Sequence, residues 1–132
     1  GSMATPEFFK LAGKNTDGIY TAECYADGID NPVNLAFVEA FRKEYKYDPG
    51  NYALSGYMEA KAIIEAIKLA KSDNPVKIRD AMRKVSYDSP IGHVSFDENG
   101  QAHTNLYITV NKNGKAITVA EWDSVNLIST LK

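Results

Sequence analysis

The nucleophilic and titratable side chains of this chain do not occur at the spacings that common enzymes use. His93 and His103 are ten residues apart on segments that resemble β-strands, and no HExxH, HxH or CxxC pattern occurs. A metal site requires several converging ligands, so this spacing predicts no metal centre. GxSxG and phosphate-loop patterns are also absent, and Ser55 precedes Gly56 inside a helical pattern. The sequence therefore predicts no catalytic residue, no metal ligand and no cofactor.

Tyrosines are the remaining candidates for contact with a ligand. Aromatic rings with a polar tip are common in small-molecule clefts, and they are equally common where helices pack together. Five of the eight tyrosines cluster within one stretch: Tyr25, Tyr45, Tyr47, Tyr52 and Tyr57. Spacing alone does not choose between a ligand role and a packing role for any of them.

Composition excludes two classes of partner. The 132 residues include 15 Lys and Arg against 17 Asp and Glu, a formal net charge of -2, whereas nucleic-acid-binding domains usually carry a basic patch. No apolar run approaches the roughly 20 residues that span a bilayer as a helix.

Cys24 has no second cysteine to pair with, and its surroundings predict a small buried side chain in a strand. Residues 1–3, Gly-Ser-Met, resemble a cleavage remnant followed by an initiator methionine and are set apart from the fold.

Four helices are predicted, of which the longest follows the turn Asp48-Pro49-Gly50 and ends before Ser72-Asp73-Asn74-Pro75. Asn51 is its expected cap. The others cover residues 5–13, 31–45 and 75–85, each with a capping residue followed by proline at its start. Apolar periodicity predicts the buried side of each of the two longer helices. The predicted stripes are Leu35, Val38, Phe41 and Tyr45 in one, and Tyr57, Ala60, Ile64, Ile67 and Leu69 in the other.

The strands are predicted mainly after the helices. Residues 18–25 favour a strand covered on both faces, as in a parallel sheet. Residues 86–90 are predicted to form a loop, and residues 93–97 a short strand. Asn113-Gly114 predicts a type I′ turn between two further strands. That turn pairs Val110 with Ile117 and Ile108 with Val119 on one face, and Thr109 with Thr118 on the other. One face is aliphatic and the other mixed, so the hairpin is expected to pack one side on a core. Residues 121–132 form an apolar tail, a strand or a short helix, in which Trp122 is expected to be docked.

Several segments, in this order, resemble the leucine/isoleucine/valine type of extracytoplasmic solute-binding protein, which serves ABC importers. The resemblance covers almost the whole chain after residue 3. It rests on residues 5–13 followed by Asp17-Gly18-Ile19-Tyr20, on residues 37–45 followed by Asp48-Pro49, on Tyr52-Ala53 with Gly56-Tyr57 and Ala60, and on residues 91–100. The last segment, Ile-Gly-His-Val-Ser-Phe-Asp-Glu-Asn-Gly, is similar to the family's Gly-Xaa-Val-Xaa-Phe-Asp-Xaa-Xaa-Gly segment.

The resemblance implies an α/β fold, namely a partial type I periplasmic-binding-protein fold that contributes to both lobes, with three consecutive helices followed by a β-hairpin. Residues 4–26 would end a helix and strand of the second lobe, and residues 27–91 would complete the first lobe. Residues 92–120 would return as strands to the second lobe, and residues 121–132 would be the C-terminal tail. Such proteins are well over twice this length, so the chain would be their C-terminal portion.

The implied function is capture of an amino acid, branched-chain or other, and its delivery to a membrane permease, without catalysis. The implied location is periplasmic or extracellular, with a lipoprotein anchor as one option. Tyr52, at the start of the long helix, matches the aromatic residue that faces the family's ligand cleft. The alternatives are a ligand-sensing domain of the same fold and, from another class, a small α+β enzyme or interaction domain. Strand edges left unpaired in a partial sheet would also favour a homodimer.

Overall fold

The computed structural model of the chain describes residues 5–26, 28–123 and 128–131. Helices and strands are mixed, three helices follow one another, and a β-hairpin comes after them, which confirms the predicted α/β architecture. The elements in chain order are α1 (Pro6–Ala12), a 3₁₀ turn (Gly13–Thr16), β1 (Tyr20–Glu23), α2 (Pro32–Tyr45), α3 (Asn51–Ala70), α4 (Pro75–Met82), β2 (Tyr87–Ser89), β3 (Gly92–Phe96), β4 (Ala102–His103), β5 (Leu106–Lys112), β6 (Lys115–Asp123) and β7 (Ile128–Leu131). Among the described residues, no helix combines the length and the hydropathy that crossing a bilayer requires.

Three helices begin with the predicted combination of a capping side chain and a proline. The hydroxyl of Thr5 accepts a hydrogen bond from the amide of Phe8, at the start of α1. Asn31 caps α2 in the same way, and the side chain of Asn74 accepts from two amides at the start of α4. These bonds satisfy donors that the first turn of a helix leaves open.

The start of α3 differs from the prediction. Gly50, which offers no side-chain cap, is the N-cap, and Asn51 is the first helical residue. The side-chain amide of Asn51 instead donates a hydrogen bond to the carboxylate of Glu23. The physical reason is that burying a carboxylate without hydrogen-bond donors costs more free energy than leaving the amides at a helix start without a side-chain acceptor.

The larger sheet has the strand order β1-β5-β6-β7, with every pair antiparallel. Asn113 and Gly114 both have positive φ angles, 52° and 73°, which confirms the type I′ turn. Val110 pairs with Ile117 and Thr109 with Thr118, as predicted. Ile108, however, pairs with Ala120, because a bulge shifts the register between Ile108 and Thr109.

Strand β1 also differs from the prediction of a parallel strand covered on both faces. It pairs antiparallel with β5, and its residues alternate between exposed and buried. The hydroxyls of Thr21 and Thr109, directly opposite each other on the buried face, are 2.8 Å apart and hydrogen-bonded. Cys24 follows the strand and is exposed, so the prediction of a buried cysteine was wrong.

The larger sheet packs one side on the core, and the buried side is the more polar one. Tyr107, Thr109 and Asn111 are almost completely buried, whereas Leu106 and Ile117 are 40% and 45% exposed. The hydroxyl of Thr109 can be accommodated in the interior because it is hydrogen-bonded to that of Thr21. The aliphatic face is half-buried at Ile108, Val110 and Val119.

A second, smaller sheet has the strand order β2-β3-β4. Residues 86–90 were predicted to be a loop, but Tyr87–Ser89 form β2 and pair with the start of β3. The hydroxyl of Tyr87 donates to the carbonyl oxygen of Met58 in α3, at 3.1 Å. The small sheet is thereby attached to the helices.

The core joins α2 and α3 to the segments that follow β1 and precede β3. Phe37 of α2 contacts the rings of Tyr25 and Tyr57, with centroid distances of 6.3 and 4.9 Å. The buried cluster consists of Tyr25, Ala26, Ile29, Phe37, Val38, Leu54, Ile91 and Tyr107. This cluster holds α2 and α3 against the sheet, to which Tyr107 of β5 belongs.

The two longer helices bury different stripes from those predicted. In α2, Val38 is buried as expected and Phe41 is partly buried, but Leu35 and Tyr45 are more than half exposed. In α3, Leu54 and Ala66 are buried, whereas the predicted stripe is largely exposed. All five of its members are exposed, namely Tyr57, Ala60, Ile64, Ile67 and Leu69. Trp122 was expected to be docked and is 38% exposed within β6.

Tyr107 makes the stability of the fold sensitive to alkaline pH. Burial raises the pKa of its hydroxyl above the ordinary value of 10.0, and the negative charge of Glu121 acts in the same direction. The folded state favours the neutral phenol, so its contribution to stability is complete below pH 10 and is lost as the pH rises above it.

We expect the free energy of unfolding to fall more steeply above about pH 10 in the wild type than in Tyr107→Phe. Chemical denaturation at a series of alkaline pH values measures this difference. Tyr20→Phe is the matched control, because Tyr20 is 67% exposed, and its pH profile should follow the wild type. Identical profiles for Tyr107→Phe and the wild type would contradict the prediction.

Candidate functional site

A cleft of about 320 Å³ lies between the start of α3 and the turn of the β5–β6 hairpin. Its volume falls at the lower end of the range of small-molecule sites. The residues that line it are Phe9, Tyr25, Ala26, Tyr47, Asp48, Pro49, Gly50, Asn51, Gly114, Lys115 and Ala116. They come from α1, from the segment after β1, from the α2–α3 loop and from the hairpin, so the cleft is assembled from distant parts of the chain.

Backbone chemistry explains why these segments can approach one another. Asp48-Pro49-Gly50 turns the chain between α2 and α3, and the type I′ turn at Asn113-Gly114 keeps the hairpin tip narrow. The carboxylate of Asp17 accepts a hydrogen bond from the amide of Asn113 at 2.8 Å. This bond attaches the hairpin turn to the segment that precedes β1.

The cleft contains both signs of charge. Asp48 forms an ion pair with Arg42 of α2. The hydrogen bond from the Arg42 guanidinium lowers the pKa of the Asp48 carboxyl, partial burial opposes this effect, and the charge of Lys115 adds to it. Asp48 is therefore a carboxylate at neutral pH, beside the ammonium group of Lys115 in the same cleft lining.

The start of α3 adds a partial positive charge to this region. The first amides of a helix point away from its axis without intrahelical acceptors, and they carry the positive end of the helix dipole. Gly50 provides no capping side chain for them. The lining from Gly50 to Asn51 thus complements an anionic group more readily than a cationic one.

A buried hydrogen bond connects the wall of the cleft to the sheet. Glu23 is fully buried at the end of β1, and its Oε2 accepts from Nδ2 of Asn51 at a distance of 3.1 Å. The first turn of α3 is therefore attached to the same sheet that supplies the hairpin. Sequence reasoning missed this contact because it treated Asn51 as a helix cap.

The structure places the predicted ligand residue, Tyr52, at the second position of α3, where it is 81% exposed. It adjoins Asn51 of the cleft but is not among the lining residues. Two other tyrosines, Tyr25 and Tyr47, do line the cleft, and their proximity arises only when the α2–α3 loop meets the segment after β1. Tyr57 is 38% exposed, and its ring packs against that of Phe37.

Metal-ligating side chains do not converge anywhere in the part of the chain that the structure describes. No three residues among its histidines, cysteines, aspartates and glutamates are placed to hold an ion. Asp97, in the turn after β3, accepts from the amides of Asn99 and Gln101, as expected of a turn residue. These bonds, chiefly that from Gln101, lower the pKa of the Asp97 carboxyl.

Comparison with known proteins identifies the family. The family model described as periplasmic binding protein matches residues 1–116. The leucine-, isoleucine-, valine-, threonine- and alanine-binding protein of Pseudomonas aeruginosa is 29% identical over 98 residues, which make up 74% of this chain and 26% of that protein. This chain thus spans about a quarter of the length of that curated relative.

Two solved structures have the same fold over nearly the whole chain. The leucine-binding protein LivK of Thermotoga maritima is 27% identical with a TM-score of 0.82, covering 94% of this chain and 36% of that one. A solute-binding protein of an ABC transporter from R. palustris, in complex with benzoate, is 26% identical with a TM-score of 0.78, covering 93% and 34%. These matches confirm the resemblance on which the predicted fold rests, and the chain belongs to the periplasmic binding protein family.

Proposed function

We propose that this chain forms part of the ligand cleft of a solute-binding protein that captures amino acids or related small carboxylates for an ABC importer. The observation that carries the proposal is the cleft at the start of α3, in a chain whose family consists of periplasmic binding proteins. The role is capture and delivery, without catalysis. The site would lie in the periplasm or outside the cell, where such proteins meet their solutes, with a lipoprotein anchor as one arrangement.

The chemistry of the cleft supports this class of ligand. Lys115 and the open amides at the start of α3 complement a carboxylate, and Asp48 complements an ammonium group. The rings of Phe9, Tyr25 and Tyr47 provide an apolar surface beside them. The ligands of two relatives, leucine for the Thermotoga maritima protein and benzoate for the R. palustris protein, share a carboxylate joined to an apolar group.

We further propose the division of the chain between two lobes. Residues 4–26 and 92–120 would belong to one lobe, residues 27–91 to the other, and residues 121–132 would form the C-terminal tail. The pairing of β1 with β5 supports this division, because it unites the first and third segments in one sheet. The helices α2, α3 and α4 lie between them in sequence. Closure of the two lobes about a hinge would then enclose the ligand.

A chimera tests the proposed function. In it, residues 5–123 replace the matched third of the Thermotoga maritima protein, which supplies the rest of the fold. We expect a folded chimera to bind leucine or another small carboxylate in a saturable manner, as measured by calorimetry. A chimera with native-like circular dichroism that binds none of these solutes would contradict the proposal.

Tyr52 is proposed to pack against the apolar part of the ligand within the complete cleft. Its 81% exposure leaves its ring available for such a contact. In the chimera, we expect Tyr52→Ala to weaken binding about tenfold, which corresponds to about 1.4 kcal/mol.

Tyr20→Ala is the matched control for Tyr52→Ala. Tyr20 is 67% exposed on β1 and lies outside the cleft lining, so its loss should leave the affinity unchanged. Equal effects of the two substitutions would show that Tyr52 has no ligand contact.

A homodimer of the isolated chain is a further proposal, in addition to the permease as the partner of the complete protein. Among the described strands, β1 is at the edge of its sheet, next to the half-exposed aliphatic face of β5 and β6. Edge strands of this kind tend to pair with another chain. Light scattering should then give twice the mass of 14.5 kDa, and a monodisperse monomer would rule out the dimer.

A further inference from the structure

Ser86, Asp88 and His93 form a continuous hydrogen-bonded series on the β2–β3 hairpin. Oγ of Ser86 lies 2.8 Å from Nε2 of His93, and Nδ1 of His93 lies 2.8 Å from Oδ1 of Asp88. The side chains of His93 and Asp88 are 42% and 79% exposed, and Ser86 is exposed as well. The series is therefore accessible to a reagent in solution.

The strand geometry explains why these three side chains meet. Asp88 and His93 are direct partners in the antiparallel β2–β3 pair, so their side chains are on the same face. Ser86 stands two residues before Asp88, directly ahead of β2, and its hydroxyl reaches the other ring nitrogen of the same imidazole. No sequence motif marks this arrangement, because the residues converge only when the hairpin forms.

The order of hydrogen bonds determines where the protons are. The Asp88 carboxylate can only accept, so the hydrogen on the neutral imidazole is at Nδ1. Nε2 then carries the lone pair, and the Ser86 hydroxyl donates its hydrogen to it. A hydroxyl that donates to an imidazole oriented by a carboxylate is the arrangement that activates a serine as a nucleophile.

We propose that Ser86 is a base-activated nucleophile that activated esters acylate selectively. Ser86 Oγ attacks the carbonyl carbon of the ester, and its proton passes to Nε2 of His93. The C–O bond to the leaving group then breaks with the electron pair on the departing oxygen, which yields an acyl-serine, a phenolate and an imidazolium ion. The inference concerns this acylation step and is independent of the proposed solute-binding function.

Two other serines show why the reaction is specific. The hydroxyl of Ser55 donates to the backbone carbonyl of Asn51, and that of Ser89 donates to the carbonyl of Gly92. A backbone carbonyl cannot accept a proton at neutral pH, so neither hydroxyl has a base. Ser55 is exposed like Ser86 and is therefore the internal reference for reagent access.

The test is acetylation of the 132-residue chain by p-nitrophenyl acetate, with peptide mapping by mass spectrometry. General base assistance contributes about 10²–10⁴-fold, and the exposed position favours the lower end of this range. We therefore expect Ser86 to acetylate roughly 100-fold faster than Ser55. In His93→Gln the rate at Ser86 should fall to that of Ser55, and Ser86→Ala should remove this adduct only.

Asp88 acts as a positioning residue, and its role has a separate readout. In Asp88→Asn we expect a smaller loss of acetylation rate, together with a shift of the Nδ1 and Nε2 signals of His93 in the nitrogen NMR spectrum. Circular dichroism of each variant verifies that the fold is retained. Acetylation of Ser86 no faster than Ser55, or an unchanged rate in His93→Gln, would overturn the proposal.

Discussion

Replacing Phe37 by alanine is expected to lower the free energy of unfolding by about 3–5 kcal/mol. Phe37 is 8% exposed, and its ring contacts those of Tyr25, Phe41 and Tyr57. The substitution removes a buried ring and leaves a cavity that the surrounding helices cannot fully close. Chemical denaturation followed by circular dichroism measures the change.

The matched control for this substitution is Leu35→Ala, on the same helix. Leu35 is 57% exposed, so its truncation should change the free energy of unfolding by no more than about 0.5 kcal/mol. Sequence periodicity assigns Leu35, and not Phe37, to the buried stripe. From the sequence alone, Leu35→Ala would therefore be expected to lower the free energy of unfolding more than Phe37→Ala. Equal losses in the two variants would mean that Phe37 is not at the centre of the core.

Replacing Gly92 by alanine is expected to destabilise the fold by about 3 kcal/mol or more, since two costs combine there. The φ angle of Gly92 is +95°, a conformation that L-residues rarely adopt. A Cβ atom would also lie 2.6 Å from Nδ2 of Asn105, whose side chain donates to Glu121. The alanine would have to displace Asn105 from that hydrogen bond.

Two other glycines separate these costs. Gly100 has a φ of +84° with open space around it, so Gly100→Ala should show the backbone cost alone, about 1–2 kcal/mol. Gly56 lies inside α3 with open space around it, and Gly56→Ala should be neutral or slightly stabilising. Thermal unfolding of the three variants should rank Gly92→Ala as the least stable. If Gly92→Ala were as stable as Gly100→Ala, the predicted clash between the new Cβ atom and Asn105 would be refuted.

The sequence predicted local structure well where one or two residues determine it. The caps at Thr5, Asn31 and Asn74 and the turn at Asn113-Gly114 depend on the chemistry of neighbouring residues, and all were confirmed. The strand β2 was missed because its three residues have no strong pattern of their own and are held by pairing with β3.

Burial was predicted less well, because a pattern of apolar residues marks a face without showing what covers it. The residues Ile64 and Ile67 of α3 form an apolar stripe, yet both are 42% exposed or more. In the sheet, hydrogen bonds such as that between Thr21 and Thr109 allowed the polar face to become the buried one.

The candidate site depends on contacts between residues far apart in sequence. Tyr52 was predicted through the family resemblance, and its ligand role stays a prediction. The proximity of Tyr47 and Lys115 in the cleft could not be read from the chain, because it requires the hairpin to approach the α2–α3 loop. The same reason applies to Ser86 and His93, whose contact depends on the β2–β3 register.

Isothermal titration of the folded 132-residue chain with leucine, isoleucine, valine and benzoate tests the account most directly. The central claim of the account is a proposal about the ligand cleft. This chain is proposed to supply one part of the cleft, and residues found only in the longer relatives are proposed to supply the other polar contacts. We therefore predict no saturable heat with any of the four solutes. Saturable binding at micromolar strength would contradict the claim, because the site would then be complete within this chain or within its dimer.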